Sequence, residues 1–230
     1  MEAAIIWWHY HINRRWVRLG LISLIAFGSL VKIHAQPFID FLMLERLQKN
    51  YGEDAVKRGE QLNRLLLELN NKDIQTKLLE VNRFFNRFTH KLDDKVWGES
   101  DYWATPEEFI GMRSGDCEDY VVAKYFTLRY LGVPDERLYL TYVKALKQNV
   151  AHMVLTYFET PESIPLVLDN YDLRILTADK RTDLLPIYSF NAKSLFLTNS
   201  SAGLGRSLPT DKVKNSKWTR LLSTLNEVDK

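Results

Sequence analysis

Arg113-Ser114-Gly115-Asp116-Cys117-Glu118-Asp119-Tyr120-Val121-Val122-Ala123 is the stretch on which the chain turns. It contains the only cysteine in 230 residues. A Ser-Gly-Asp turn signal runs directly into a segment with helical periodicity, which predicts Cys117 in the first turn of a helix. The unpaired N–H groups and the positive dipole end of a helix start favour a thiolate. The helix is expected to run to Tyr130, with Gly132 as its C-terminal cap and Pro134 beyond.

Upstream, the pattern is helical. Phe38 to Leu47 and Val56 to Leu69 are separated by a break at Tyr51-Gly52-Glu53-Asp54, and Ile74 to Phe88 forms a third amphipathic segment. Residues 90–100 read as a loop. Thr105-Pro106-Glu107-Glu108 is a capping box with proline at the first helical position. Downstream, the texture changes to strands at Leu138–Val143, Val150–Phe158 and Leu166–Asp169. Their short polar separators suit an antiparallel meander. Leu185–Phe190 reads as a further strand that its proline should confine to an edge. Trp218, Leu221, Leu222 and Leu225 suggest a small terminal helix. Helices first and a sheet after give an α+β fold.

Arg14, Arg15 and Arg18 precede an uncharged, mostly apolar run from Leu19 to Val31, and Ile33-His34-Ala35 suits cleavage before Gln36. Residues 1–35 thus read as an export signal, the run being shorter than the roughly 20 residues a membrane span needs. No stable membrane insertion is expected after its removal. The expected organisation is a signal over 1–35, a domain over 36–198 and a tail over 199–230. The domain divides into a helical lobe at 36–96 and a catalytic core at 97–198. Four Lys/Arg and one Glu lie in 1–35, so the rest of a chain of net charge +2 carries about −1. That balance argues against nucleic acid as a partner. A Gly-rich phosphate loop, zinc-type Cys/His spacing and internal repeats are all lacking, and a lone cysteine offers no resolving thiol for redox work.

His152 lies within an apolar strand and Asp169 ends the next one. Cysteine at a helix start, histidine on one strand and aspartate on its neighbour form a nucleophile–base–orienter series. Cys117 would attack a carbonyl carbon, His152 would carry the proton, and Asp169 would fix the imidazole tautomer. The Cys117 N–H is the natural oxyanion donor, with a second expected from the Trp97–Trp103 loop.

Four features resemble the bacterial transglutaminase-like cysteine proteinases: Trp97…Asp101-Tyr102-Trp103, Gly115-Asp116-Cys117-Glu118-Asp119, Ala151-His152-Met153-Val154 and Val167-Leu168-Asp169-Asn170. The spacings of 35 and 17 residues between Cys117, His152 and Asp169 fit as well. The resemblance implies a papain/transglutaminase-like fold and periplasmic cleavage of a large surface adhesin near its N-terminus, releasing cells from a biofilm. It further implies a partner, the periplasmic domain of an inner-membrane cyclic-di-GMP receptor. A transglutaminase, amidase or acyltransferase on the same triad, or an inactive binding module, are the competing readings.

Asp116, Glu118 and Asp119 crowd a nucleophile that must become an anion. One carboxylate would suffice to cap the helix. Three are better explained if a cation offsets them, and oxygen-only ligands in an exported protein suggest Ca²⁺. The resemblance agrees, since these proteases depend on calcium and their ligands correspond to Asp116 and Glu118. Asp119, and Asp101 from the upstream loop, extend the candidate set.

Overall fold

The computed structural model of the chain describes residues 37–198, 203–208 and 216–228. The expected signal lies outside them. No helix among the described residues is long and apolar enough to cross a membrane.

Three helices lead: α1 (Phe41–Tyr51), α2 (Glu53–Leu69) and α3 (Ile74–Phe85). Asp40 and Asp73 cap α1 and α3 by accepting from the N–H groups of Met43 and Thr76. Gly52, at φ +82°, makes the break between α1 and α2. Residues 90–100, expected as a loop, hold more order than that. A two-residue strand β1 (Thr89–His90) is followed by a short helix α4 (Asp93–Val96). Then comes α5 (Pro106–Met112), whose capping box forms as the sequence predicts: Thr105 and Glu108 exchange hydrogen bonds.

Strand β2 (Ser114–Gly115) leads into α6 (Cys117–Tyr130). The C-terminus of α6 closes as a Schellman motif, with Gly132 N–H donating to Arg129 O and Val133 N–H to Leu128 O. The strands β3 (Leu138–Ala145), β4 (Val150–Tyr157), β5 (Leu166–Leu168), β6 (Leu176–Thr177), β7 (Leu184–Phe190), β8 (Leu195–Leu197) and β9 (Arg206–Leu208) follow. They form an antiparallel sheet of order β6-β5-β4-β3-β7-β8-β9.

The proline-bearing strand is therefore not at an edge, contrary to expectation. Pro186 sits opposite Val143 where the β3–β7 register shifts, and β8 pairs β7 only from Tyr188 onward. A bulge with no partner on its other side tolerates a residue without an N–H. Nor do the residues past 198 simply trail away. β9 extends the sheet, and α7 (Ser216–Val228) buries Trp218 against Tyr125, Phe126 and Phe190.

Alternation along β4 sends Met153, Leu155 and Tyr157 into one continuous core with α6 and the N-terminal helices. Val154 packs with Val143 and Val167 in a separate small cluster. The α+β architecture is as the sequence predicts.

Candidate active site

The geometry begins with how Cys117 is delivered. α5 ends at Arg113 in the left-handed region, φ +54°. β2 then runs parallel to β1, pairing Ser114 with Thr89 and Gly115 with His90. This ladder anchors the two residues ahead of the helix start. Gly115 must be glycine, because a Cβ there would overlap the Asp119 carboxylate. Asp116 occupies the N-cap position but makes no side-chain cap hydrogen bond. Its carboxylate lines the cleft instead.

That cleft, about 390 Å³, is lined by Cys117 and His152 together with Asp93, Asp101, Asp116, Glu118, Tyr142 and Met153. The Cys117 thiol donates to Glu118 Oε2 at 3.1 Å. The backbone N–H of Met153 also approaches the sulfur and favours its anion. The residue next to His152 therefore touches the thiol. A more enclosed cavity of about 240 Å³ opens elsewhere against the sheet, lined by Val143, Val154, Val167 and Arg181 but by neither Cys117 nor His152. The reactive groups place the chemistry in the former.

His152 and Asp169 are both 1% exposed, and His152 Nε2 lies 2.8 Å from Asp169 Oδ1. Asp169 Oδ2 accepts from Arg181 Nη2 at 2.6 Å, and the Tyr171 N–H donates to Oδ1 at 3.0 Å. Burial by itself would raise the Asp169 pKa, but these three donors hold it well below the usual carboxylate range. An ionised Asp169 has only acceptors, so Nε2 carries the hydrogen. Nδ1 has no hydrogen-bond partner, the Cys117 thiol being turned to Glu118. The Tyr171 ring lies face to face with the imidazole, 4.0 Å between centroids at 9°. Arg181 and Tyr171 went unnoticed in the sequence. Arg181 sits in Asp179-Lys180-Arg181-Thr182-Asp183, which reads as a solvated turn, and Tyr171 follows a strand end.

The acidic residues fall in two clusters that share Asp116, one of which joins Asp116 and Glu118 with the Cys117 thiol. Glu118 turns toward the thiol. Asp93, Asp116 and Asp119 each bring a carboxylate oxygen to within 4.8 Å of the others. Asp93 Oδ1, Asp116 Oδ1 and Asp119 Oδ2 are buried without a hydrogen-bond partner. Burial, and then the Asp116 charge, raise the Asp93 pKa to about 6; burial, and then the hydrogen bond with Glu118 and its charge, raise the Asp116 pKa to about 9. Asp119 is pushed far above the carboxylate range for the same reason, although the Ala104 N–H at 2.8 Å opposes it. Converging buried oxygens that lack donors fit a hard cation. Asp93 is an addition that the sequence did not suggest, since it belongs to the segment read as a loop.

Asp101 stands apart from this group. It lines the cleft, yet its Oδ1 accepts from Trp103 Nε1 at 3.2 Å and its Oδ2 pairs with Lys217. The Trp103 indole is thereby engaged, whereas the Trp97 indole N–H, in the same loop, is buried without a partner. The carboxylates also act on the nucleophile: burial first, then Glu118 and Asp116, raise the Cys117 pKa well above its ordinary value.

A model of the family described as bacterial transglutaminase-like cysteine proteinase, BTLCP, matches residues 48–184. No curated protein sequence matches the chain. Among solved structures, Legionella pneumophila LapG is 40% identical, with a TM-score of 0.66, over 79% of this chain and 96% of its own. Calcium-bound LapG from the same organism has a TM-score of 0.67 at the same identity, covering 79% of this chain and 98% of that one. The EGTA-treated form has a TM-score of 0.67 and 40% identity, over 79% and 96%.

Proposed function

The chain belongs to the bacterial transglutaminase-like cysteine proteinases and is a cysteine protease, and we propose that Cys117, His152 and Asp169 are its catalytic triad. The observation that carries this is the placement of a buried His–Asp pair and a helix-start thiol around one cleft. His152 Nδ1 takes the thiol proton, and the Cys117 sulfur attacks the scissile carbonyl carbon. The backbone N–H of Cys117 stabilises the oxyanion. The imidazolium returns its proton to the leaving amine, releasing it and leaving a thioester. His152 then draws a proton from water, which attacks the thioester and frees the thiol. Asp169 holds Nε2–H throughout, and Arg181 keeps Asp169 ionised.

Asp93, Asp116 and Asp119 would hold Ca²⁺, with Glu118 beside them. Bound calcium supplies positive charge that offsets the carboxylates around the nucleophile. The orphaned oxygens support this, as does the calcium-bound form of LapG. Removing negative charge from around Cys117 lowers the cost of forming its thiolate.

The substrate, by family resemblance, is the N-terminal region of a large surface adhesin, cleaved in the periplasm to free cells from a biofilm. The partner would be the periplasmic domain of an inner-membrane cyclic-di-GMP receptor. The charged, then apolar, leader supports export. The test is digestion of an adhesin N-terminal fragment by the purified protein, with cut sites read by mass spectrometry. We expect cleavage with Ca²⁺, loss of cleavage in excess EGTA, and none by Cys117→Ala. Cleavage by Cys117→Ala would overturn the triad. Incorporation of a labelled amine without hydrolysis would point to acyl transfer instead.

A further inference from the structure

We infer that Tyr171 is a positioning residue for this protease, holding the His152 imidazole through its ring and Asp169 through its backbone. The inference rests on the triad proposed above.

A single hydrogen bond, His152 Nε2 to Asp169 Oδ1, fixes one edge of the imidazole. It leaves the ring free to turn about that bond, and any turn changes where the unpartnered Nδ1 points. The Tyr171 ring removes this freedom. At 4.0 Å and 9° it covers one face of the imidazole. The Tyr171 N–H donates at 3.0 Å to the same Asp169 oxygen that accepts from His152. One residue thus restrains both members of the pair.

Core packing does not account for this arrangement, because Tyr171 is 40% exposed while His152 beneath it is 1% exposed. The phenol forms a wall between the His152–Asp169 hydrogen bond and water. The Tyr171 ring also stacks with His90, with ring centroids 5.6 Å apart at 16°, and His90 Nε2 is 3.5 Å from the Tyr171 hydroxyl. His90 pairs with Gly115 in the β1–β2 ladder, two residues before Cys117. The ring pile therefore spans from the base to the backbone that delivers the nucleophile.

The test compares Tyr171→Leu and Tyr171→Phe with the wild-type enzyme in Ca²⁺, on a fluorogenic peptide spanning the mapped cut site. Tyr171→Leu should lower kcat by about tenfold, of the order of one aromatic stacking contact, with KM changed by less than about twofold. Tyr171→Phe, which keeps the ring and the backbone donor, should recover most of that loss. A proton NMR spectrum should show the His152 Nε2–H resonance exchanging faster with water in Tyr171→Leu than in wild type. Tyr171→Leu also loses the stacking contacts, so its melting temperature should fall by a few degrees while that of Tyr171→Phe stays near wild type, and kcat is read well below all three transitions. Equal kcat in Tyr171→Leu and wild type would refute the inference, as would a Tyr171→Phe variant as slow as Tyr171→Leu. Neither result would touch the triad itself, which fails only if Cys117→Ala still cleaves.

Discussion

Replacing Arg181 with glutamine should destabilise the protein by about 3 kcal/mol at neutral pH and by much less in acid. Arg181 is 3% exposed and bonds two carboxylates: Asp169 Oδ2 at 2.6 Å and Asp183 Oδ2 at 2.9 Å through Nη2, and Asp183 Oδ1 at 3.0 Å through Nε. Removing one member of a buried ion pair costs about 3–5 kcal/mol, because the partner's charge stays buried. Glutamine can restore one hydrogen bond, which favours the lower end. Asp169 determines the pH dependence. Its folded pKa lies below the unfolded value of about 3.9. It therefore contributes stability that is present above that value and lost as pH falls through the folded pKa. Burial is the largest influence on Asp169 and acts upward. Without Arg181 the carboxyl protonates at higher pH, and once neutral it no longer needs a cation. The gap between variant and wild type should thus be widest near pH 7.5 and shrink toward pH 4. Urea unfolding of both proteins across that range measures the gap; taking the difference cancels the carboxylates that Arg181 does not touch, while Asp183, which Arg181 also holds below its ordinary range, adds to the gap with the same sign. A gap under about 1 kcal/mol at pH 7.5, or one that does not narrow in acid, would refute the reasoning.

Two further outcomes follow from buried charges. Asp93→Asn should weaken Ca²⁺ binding by roughly tenfold or more, about 1.4 kcal/mol, as read by calorimetry; unchanged affinity would remove Asp93 from the ligand set. Lys124 is completely buried on α6, donates at 2.8 Å to Asn86 Oδ1, and has its pKa lowered by burial to about 7. The unfolded lysine titrates near 10.4, so between these values the unfolded chain holds a proton that the folded chain does not. Stability should therefore rise with pH from about 7 to 10, by up to roughly 4 kcal/mol. In Lys124→Met that contribution disappears, and a wild-type-like rise in urea midpoint between pH 7 and 9.5 would contradict it.

The sequence reveals this site where local rules and tertiary structure agree. A turn signal followed by helical periodicity marks the start of α6 at Cys117, and an apolar, β-branched run marks β4 around His152. It is silent where a long-range partner changes a residue's meaning. Arg181 is part of a charged segment that any surface turn could carry, and only the pairing of β5 with β4 and β6 makes it the counter-ion of Asp169. Asp93 reads as loop polarity until the fold brings it beside Asp116. Pro186 reads as an edge marker until the bulge excuses its missing N–H. The acidic box lies between these cases, and magnitudes decide its meaning. An acidic residue in the first turn gains about 0.3–1 kcal/mol from the helix dipole. Burying an unpaired carboxylate costs several kcal/mol even after relaxation. Asp119 is fully buried, Asp116 makes no cap hydrogen bond, and three carboxylate oxygens of the cluster lack donors. Dipole complementarity is too small to offset such burial. The balance closes only if protons or a cation neutralise the cluster, and protonation would leave Asp116 titrating near pH 9, beside a nucleophile that must ionise. A divalent cation would remove both difficulties together, which supports the proposal that Asp93, Asp116 and Asp119 act as ligands rather than as helix caps.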